Sequence, residues 1–550
     1  MWKQLLFAGA AQAASSESNA VAVSSNFNDA AEPGLAFISY SIELSSFPDF
    51  AGNKSNPNTY SYTLLQNIEE YTGTKPYIRV GGNTQDYALY DPTLQTQLNG
   101  TYNSSRSNDY PTTIYLGASF FESYQTWPGV KFSHGFNLAE GGRSAEGWQA
   151  LVDTAPLACK AIGRDNFYAY EYGNEPNNFV RKYWATSRPP NWGSKEFVYE
   201  WHNGTKEIRR QMREHCPDLG PELREFMAPS YDNRDHTLDA EDSWRFGLNR
   251  CGNINTYSVH NYIDGADSPG VTLQHTLMNH TRTTHDVDTQ AAAYRKVMAE
   301  SDDPSPPLIF GETNSLYHQG KPGLSNSFGA ALWGVDFNMY SASAGYARVH
   351  MHQGTNYRVR NALSFGVQSM LILLQYQSWQ PIDTEKTVKG TKAPYYGNIA
   401  AAAALGNLTH GMVSVASIPM DSAMEAAYAI YVGGRLRRLM AINMHSYNTT
   451  KDGAGVEPLE NPEPRPSRPF SFLVSDLNDD VDVDVQRLMA NGSDAITGIT
   501  FDGWSYNWEL DAGRPVRLNN VTIGESMKPN KGVVSIQVPD SSAAVLHIDH

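Results

Sequence analysis

Two glutamates stand where short apolar segments stop. Glu175 lies in Tyr170-Glu-Tyr-Gly-Asn-Glu-Pro-Asn-Asn-Phe179 and Glu312 in Leu308-Ile-Phe-Gly-Glu-Thr-Asn314. A carboxyl at the rim of a low-dielectric core has its pKa raised by burial unless a partner stabilises its charge. Two carboxyls in different surroundings are what a general acid and a nucleophile need at one sugar. For either glutamate alone, strand-end capping or an ion pair is the competing reading. Pro176 cannot continue a strand ladder and keeps the residue before it out of right-handed helix, so the chain must turn sharply at Glu175. Asn174 then offers an amide beside the acid, suited to a sugar hydroxyl.

Residues so distant in the chain meet only if the fold gathers the ends of its strands. Eight short apolar segments recur, at residues 35–43, 76–82, 130–137, 167–175, 225–231, 254–262, 307–314 and 347–353. Amphipathic stretches lie between them, including 60–72, 147–162, 195–215, 289–301 and 327–344. Strands alternating with helices imply βαβ units and a parallel sheet. Eight such units predict an α/β fold, a (β/α)₈ TIM barrel, whose strand ends all face one catalytic mouth. Glu175 and Glu312, on the fourth and seventh strands, are then expected to converge. An open doubly wound sheet would carry a glycine-rich fingerprint after its first strand; Gly81-Gly82 follows the second and lacks that spacing.

Beyond residue 405 short alternating segments are broken by Gly, Asn, Asp and Pro, the pattern of an antiparallel β-sandwich. The expected organisation is a leader at 1–13, an N-terminal segment at 14–34 adding a strand to the sandwich, the barrel at 35–404 and the sandwich at 405–550. The leader reading rests on Lys3, a short apolar run and the small-x-small site Ala11-Gln12-Ala13; a first strand or helix is the alternative. Nine Asn-x-Ser/Thr sequons, at Asn53, Asn99, Asn103, Asn203, Asn279, Asn407, Asn448, Asn491 and Asn520, suit a secreted glycoprotein.

Composition narrows the partners. The 550 residues carry 42 Lys and Arg against 58 Asp and Glu, a net charge of −16, which argues against nucleic acid and anionic lipid. No apolar run after the leader is long enough for a membrane span, and the chain is expected to be a monomer. Three cysteines rule out a disulfide scaffold; one bridge is expected, Cys216–Cys251, with Cys159 a buried thiol. His260, His350 and His352 fall on strands, and His350-Met-His352 would share a face as metal ligands do. Histidines of the core, or packed behind the site, are the commoner reading, and without an acidic or cysteine cluster no metal or cofactor is expected. Trp127, Trp148, Trp184 and Trp192 could stack distal sugars or simply pack.

Together, Tyr172-Gly-Asn-Glu-Pro-Asn-Asn-Phe179, Gly311-Glu-Thr-Asn-Ser-Leu-Tyr317, Arg79-Val-Gly-Gly-Asn-Thr-Gln-Asp-Tyr87 and Gly354-Thr-Asn-Tyr357 resemble the family 79 glycoside hydrolases, which include fungal β-glucuronidases and animal heparanase. The resemblance implies Glu175 as general acid/base and Glu312 as nucleophile of a retaining mechanism. It implies Asn174 on the 2-hydroxyl, Tyr262 hydrogen-bonded to the nucleophile and Glu43 on hydroxyls at the far edge of the sugar. Tyr317, the amides of His318 and Gln319, and Tyr357 would bind the uronate carboxylate. Here the chain departs from heparanase, which has glycines where His318-Gln319-Gly320 stands. The implied function is a secreted exo-β-glucuronidase, releasing terminal glucuronate or its 4-O-methyl form from cell-wall glycans such as arabinogalactan side chains. The alternatives are a heparanase-like endo-enzyme, a β-glucosidase or β-xylosidase of the same clan, and a sugar-binding pseudoenzyme.

Overall fold

A computed structural model describes residues 20–28, 30–103, 110–180, 187–219, 225–233, 237–301, 305–355, 376–384, 387–519 and 521–548. The leader, Tyr357, Trp184 and Asn520 therefore lie outside the described residues.

Eight parallel strands close into a barrel: β1 (Ile38–Glu43), β2 (Ile78–Gly81), β3 (Phe132–Phe136), β4 (Phe167–Tyr172), β5 (Phe226–Tyr231), β6 (Ile254–Gly265), β7 (Leu308–Tyr317) and β8 (Arg348–Gln353). Closure is made by β8 against β1, with Val349 opposite Ile38 and Gln353 opposite Ile42. Each strand falls within or around one of the apolar segments, because a strand covered on both faces must be apolar throughout.

Helices wrap the outside: α1 (Thr59–Thr72), α2 (Ala145–Asn166), α3 (Ser194–His215), α4 (His280–Ala299) and α5 (Phe328–Ser343). Their starts are chemically specified. The Asn58 and Ser144 side chains accept from the amides of Ser61 and Gly147, satisfying donors the helix leaves open. The fourth helix begins nine residues before the expected 289 because Asn279 caps the Arg282 amide, extending the helix over a polar first half.

The disulfide joins Cys159 to Cys216, and Cys251 is free and exposed, correcting the expected Cys216–Cys251 pair. The reason is helix packing. Cys159 on α2 and Cys216 just past α3 sit on neighbouring helices with Cα atoms 6.3 Å apart, within disulfide reach.

Beyond α6 (Ala393–Leu405) two sheets face each other. The larger includes β9 (Val413–Ile418), β10 (Glu425–Val432), β11 (Arg435–Asn443), β13 (Val483–Met489) and β15 (Ser542–Ile548). The smaller joins Val21–Val23, in parallel, to β12 (Ser467–Val474), which pairs with β14 (Val533–Pro539). Phe470, Phe472, Val534 and Ile536 from one and Ala427, Leu439 and Leu546 from the other share a separate apolar core. The sandwich is tied to the barrel through α5, whose Phe328 and Gly329 amides donate to the carbonyls of Ala495 and Ser493. Tyr428 adds a 2.6 Å bond from its hydroxyl to the buried Asp336.

Candidate active site

The barrel axis is threaded by Arg79, a fully buried arginine on β2. An arginine inside an apolar strand is tolerable only if its donors are used. All are directed at acceptors on or just beyond other strands. Nε and Nη2 donate to Glu171 of β4 at 2.9 and 2.6 Å, and Nη1 to Ser41 of β1 at 2.9 Å and to Glu312 of β7 at 2.5 Å. Nη2 also donates to Asn174 Oδ1 at 2.7 Å.

Glu312 and Glu175 sit above this floor, both almost fully buried. A carboxylate oxygen from each and a ring nitrogen of His260 all lie within 4.8 Å of one another. Glu312 Oε1 accepts from the Tyr262 hydroxyl at 2.8 Å. Its Oε2 is 3.6 Å from His352 Nδ1 and 4.0 Å from His260 Nδ1. Burial alone would raise the Glu312 pKa, but the His352, His260 and Arg79 charges and the Tyr262 bond outweigh it. They hold the carboxyl well below the usual glutamate value. His260 is the converse: burial disfavours its charge, yet Glu171, Glu175 and Glu312 around it push its pKa up to about 9.

Glu175 follows β4 in a left-handed backbone, φ 46° and ψ 52°, rather than the extended conformation usual before proline. Its amide donates to the Ser230 carbonyl of β5 at 3.0 Å, which fixes the turn. Oε1 faces His260 Nδ1 at 3.2 Å and Oε2 accepts from Asn178 at 3.2 Å. The partners of the two glutamates differ in kind: a guanidinium and a phenol for Glu312, an imidazole and an amide for Glu175. The Glu175, His260 and Glu312 trio has metal-ligand residue types, but Arg79 already supplies the positive charge beside Glu312 that a cation would bring.

At the far edge Glu43 ends β1. Its Oε1 accepts from both the amide and the hydroxyl of Thr84, and its Oε2 lies 3.5 Å from His352 Nε2. Gly82 is required here: its φ is 91°, and a Cβ would come 2.5 Å from the Glu43 carboxylate. The structure thus links Glu175, Glu312, Asn174, Tyr262 and Glu43 in one polar cluster at the strand ends.

A family model described as the glycosyl hydrolase family 79 C-terminal beta domain matches residues 427–545. The chain is 53% identical over 523 residues to a β-glucuronidase of Neurospora crassa, covering 92% of this chain and 90% of that protein. It is 47% identical over 538 residues to a β-glucuronidase of Aspergillus niger, covering 96% and 94%. The chain belongs to glycoside hydrolase family 79. A crystal structure of a 4-O-α-L-rhamnosyl-β-D-glucuronidase from Fusarium oxysporum 12S shares the fold, with TM-score 0.73 and 23% identity over 96% of this chain and 99% of that one.

In this family 79 barrel Tyr317 ends β7, five residues beyond Glu312, with its ring over Gly265. His318, Gln319 and Gly320 follow with φ of 60°, 65° and 80°. Two non-glycine residues therefore hold the left-handed backbone that glycines would adopt freely, at about 1–2 kcal/mol each. The His318 ring is exposed and its Nδ1 lies 3.3 Å from Asp267.

Several residues of the family 79 site escaped the sequence reading as site members. Arg79 was legible as an arginine in an apolar strand. Tyr376 had no such signal. It lies beyond β8 in the chain, and burial, with the charges of Glu312, Glu43 and Glu175, pushes its hydroxyl pKa far up. His350 is core: its Nδ1 bonds the Phe310 carbonyl at 2.9 Å and burial pushes its pKa down to about 3. His352 instead reaches the site, sharing a 2.8 Å bond with Ser41. Of the two readings open to them, Trp127 and Trp192 take the packing one, buried against Phe132 and Phe179. Trp148 is half-buried against the same core.

Proposed function

We propose that this family 79 enzyme is a secreted, retaining exo-β-glucuronidase acting on terminal β-linked glucuronate or 4-O-methylglucuronate of cell-wall glycans, such as arabinogalactan side chains. Both curated relatives are β-glucuronidases, which supports the sugar. The observation that carries the mechanism is the carboxylate separation, oxygens within 4.8 Å. Retaining enzymes hold their carboxyls about 5–5.5 Å apart, whereas inverting ones leave about 6.5–9.5 Å for a water.

Glu312, kept ionised by Arg79, His260, His352 and Tyr262, attacks the anomeric carbon. Glu175 protonates the departing oxygen, then removes a proton from the water that hydrolyses the glycosyl-enzyme. Asn174 holds the 2-hydroxyl and Glu43 the hydroxyls opposite. The uronate carboxylate meets Tyr317, Tyr357 and main-chain donors at His318 and Gln319. His318 and Gln319 lie in a turn closed by the Gly320 amide on the Leu316 carbonyl at 3.0 Å, and main-chain amides in such turns can line an anion site, which supports that pocket.

The test is turnover of matched aryl β-glucuronide, glucoside and xyloside, followed by identification of the sugar released from oligosaccharides. Strong preference for the glucuronide and release of single uronates are expected. Equal rates on glucoside would defeat the uronate pocket, and oligosaccharides cut from within a sulfated chain would favour the endo reading. Glu312→Gln should abolish turnover; unchanged turnover would defeat the assigned nucleophile.

A further inference from the structure

Asp86 lies in the turn Asn83–Tyr87 after β2 and is 5% exposed. Its two carboxyl oxygens end on main-chain amides from two other strand ends. Oδ2 accepts from Asn174, beyond β4, at 2.9 Å; Oδ1 accepts from Leu138, beyond β3, at 3.1 Å. Its own carbonyl accepts from Glu140 at 3.2 Å, so one residue ties three consecutive strand ends. Leu138 in turn packs on Gly173, where an added Cβ would come 2.6 Å from its side chain.

Such a carboxyl is costly. Burial pushes its pKa up to about 8, with the like charge of Glu171 adding to this and only main-chain amides opposing it. Neither form is free of cost: the charged carboxylate has no cation among its leading influences, and the neutral acid sets an O–H against one of the two amides that point at it. Packing alone does not account for an acid at this position.

What Asp86 holds is the residue just before Glu175. Asn174 is flanked by two left-handed residues, Gly173 at φ 93° and Glu175 at φ 46°. Its Oδ1 accepts from Arg79 Nη2 at 2.7 Å, so its Nδ2 is the group left to present to a ligand; the flipped amide would set donor against donor. A sugar hydroxyl at this point meets an N–H donor whose position depends on where the Asn174 main chain is pinned.

We propose that Asp86 is a positioning residue for hydrolysis, holding the Asn174 main chain so that Nδ2 is aimed at the 2-hydroxyl of the reacting sugar. The proposal rests on Asn174 as the partner of that hydroxyl. Hydrogen bonds to this hydroxyl strengthen in the transition state, so the effect falls on kcat more than on KM.

The experiment crosses Asp86→Asn with loss of the hydroxyl itself. The variant keeps one acceptor and sets an NH₂ against the other amide. With an aryl β-glucuronide kcat should drop about 10²-fold, the scale of a small misplacement at a reacting centre. With the matching 2-deoxy-β-glucuronide the variant and wild type should agree within about twofold, since the contact is then absent in both. Equal losses on both substrates, or no loss on either, would overturn the proposal. Thermal unfolding checks the fold; if Asp86→Asn does not fold, Asp86→Ser takes its place, and failure of both makes Asp86 a folding residue and overturns the proposal as well. If wild type itself handles both substrates alike, the 2-hydroxyl reading of Asn174 fails and takes this proposal with it, a result visible before any variant is made.

Discussion

Arg79 donates to Glu312 at 2.5 Å from the floor of the barrel, and the same guanidinium grips Glu171 through two further N–H groups. One side chain thereby joins β2, β4 and β7 while keeping one mouth carboxyl charged. Glu175, a few ångströms away, faces the His260 imidazole and the Asn178 amide, each at 3.2 Å. The asymmetry needed for an acid and a nucleophile is built from which strand carries the arginine.

Removing that arginine should separate stability from chemistry. Breaking a buried ion pair costs about 3–5 kcal/mol because the stranded carboxylates keep their desolvation penalty. Arg79→Leu is expected to lose that much in chemical denaturation. Arg79→Lys keeps the charge but cannot span all four acceptors, so it should retain more stability than activity.

The pH dependence has two limbs of opposite sign. Glu312 is depressed below its ordinary 4.5, so it contributes stability above that value and loses it as pH falls through the lower folded-state pKa. The acid limb of kcat/KM should accordingly lie below 4.5. His260 is raised from 6.5 to about 9, so its contribution is complete below 6.5 and disappears as pH rises through about 9. Denaturation midpoints measured across this range should fall on the alkaline side, and His260→Asn should flatten that fall while moving the acid limb of kcat/KM upward.

Loss of Glu175 should depend on the leaving group. With an activated aryl glucuronide, cleavage needs little proton donation, so Glu175→Gln should slow deglycosylation and accumulate a covalent intermediate. With an alkyl or sugar leaving group the first step itself should slow by about 10²–10⁴-fold. Azide should restore turnover of the activated substrate only. A uniform loss across leaving groups would argue against the acid/base role.

If the uronate is held by main-chain donors, side chains at 318 and 319 are dispensable while their amides are not. His318→Gly should keep the glucuronide-to-glucoside preference within about threefold, because it preserves both the N–H and the left-handed φ. Proline at 318 removes the N–H and cannot adopt positive φ, and should erase the preference. The ratio of the two aryl glycoside rates reads this directly.

The Cys159–Cys216 bridge closes a separation of 57 residues between two barrel helices, worth about 4 kcal/mol in loop-closure entropy. Cys216→Ser should lower the unfolding free energy by up to that amount with kcat unchanged. Cys251→Ser should change neither.

Much of this architecture is written locally. An apolar run of strand length followed by an amphipathic stretch reports one βα unit, and eight of them in series leave few alternatives to a closed barrel. Glu175 and Glu312 could be read as partners because strand ends in such a barrel point one way. The later glutamate even falls in register with His260 on the neighbouring strand. Other features carry no local signal. Cys159 pairs with Cys216 and not Cys251 because of which helices are neighbours, and Trp127 and Trp192 are packed where exposed platforms seemed equally open to them. The left-handed backbone at His318 and Gln319 has no glycine to announce it.

The amino-acid order by itself determined the repeat of strands and helices, hence the barrel and the meeting of two carboxyls, because hydrophobic periodicity is a property of neighbours in sequence. Only the closed tertiary structure decided how those carboxyls differ. Electrostatic strength depends on distance and burial, and the groups that set it, Arg79, His260, His352 and Asp86, come within reach of the two glutamates or of Asn174 only once strands from across the chain are brought together.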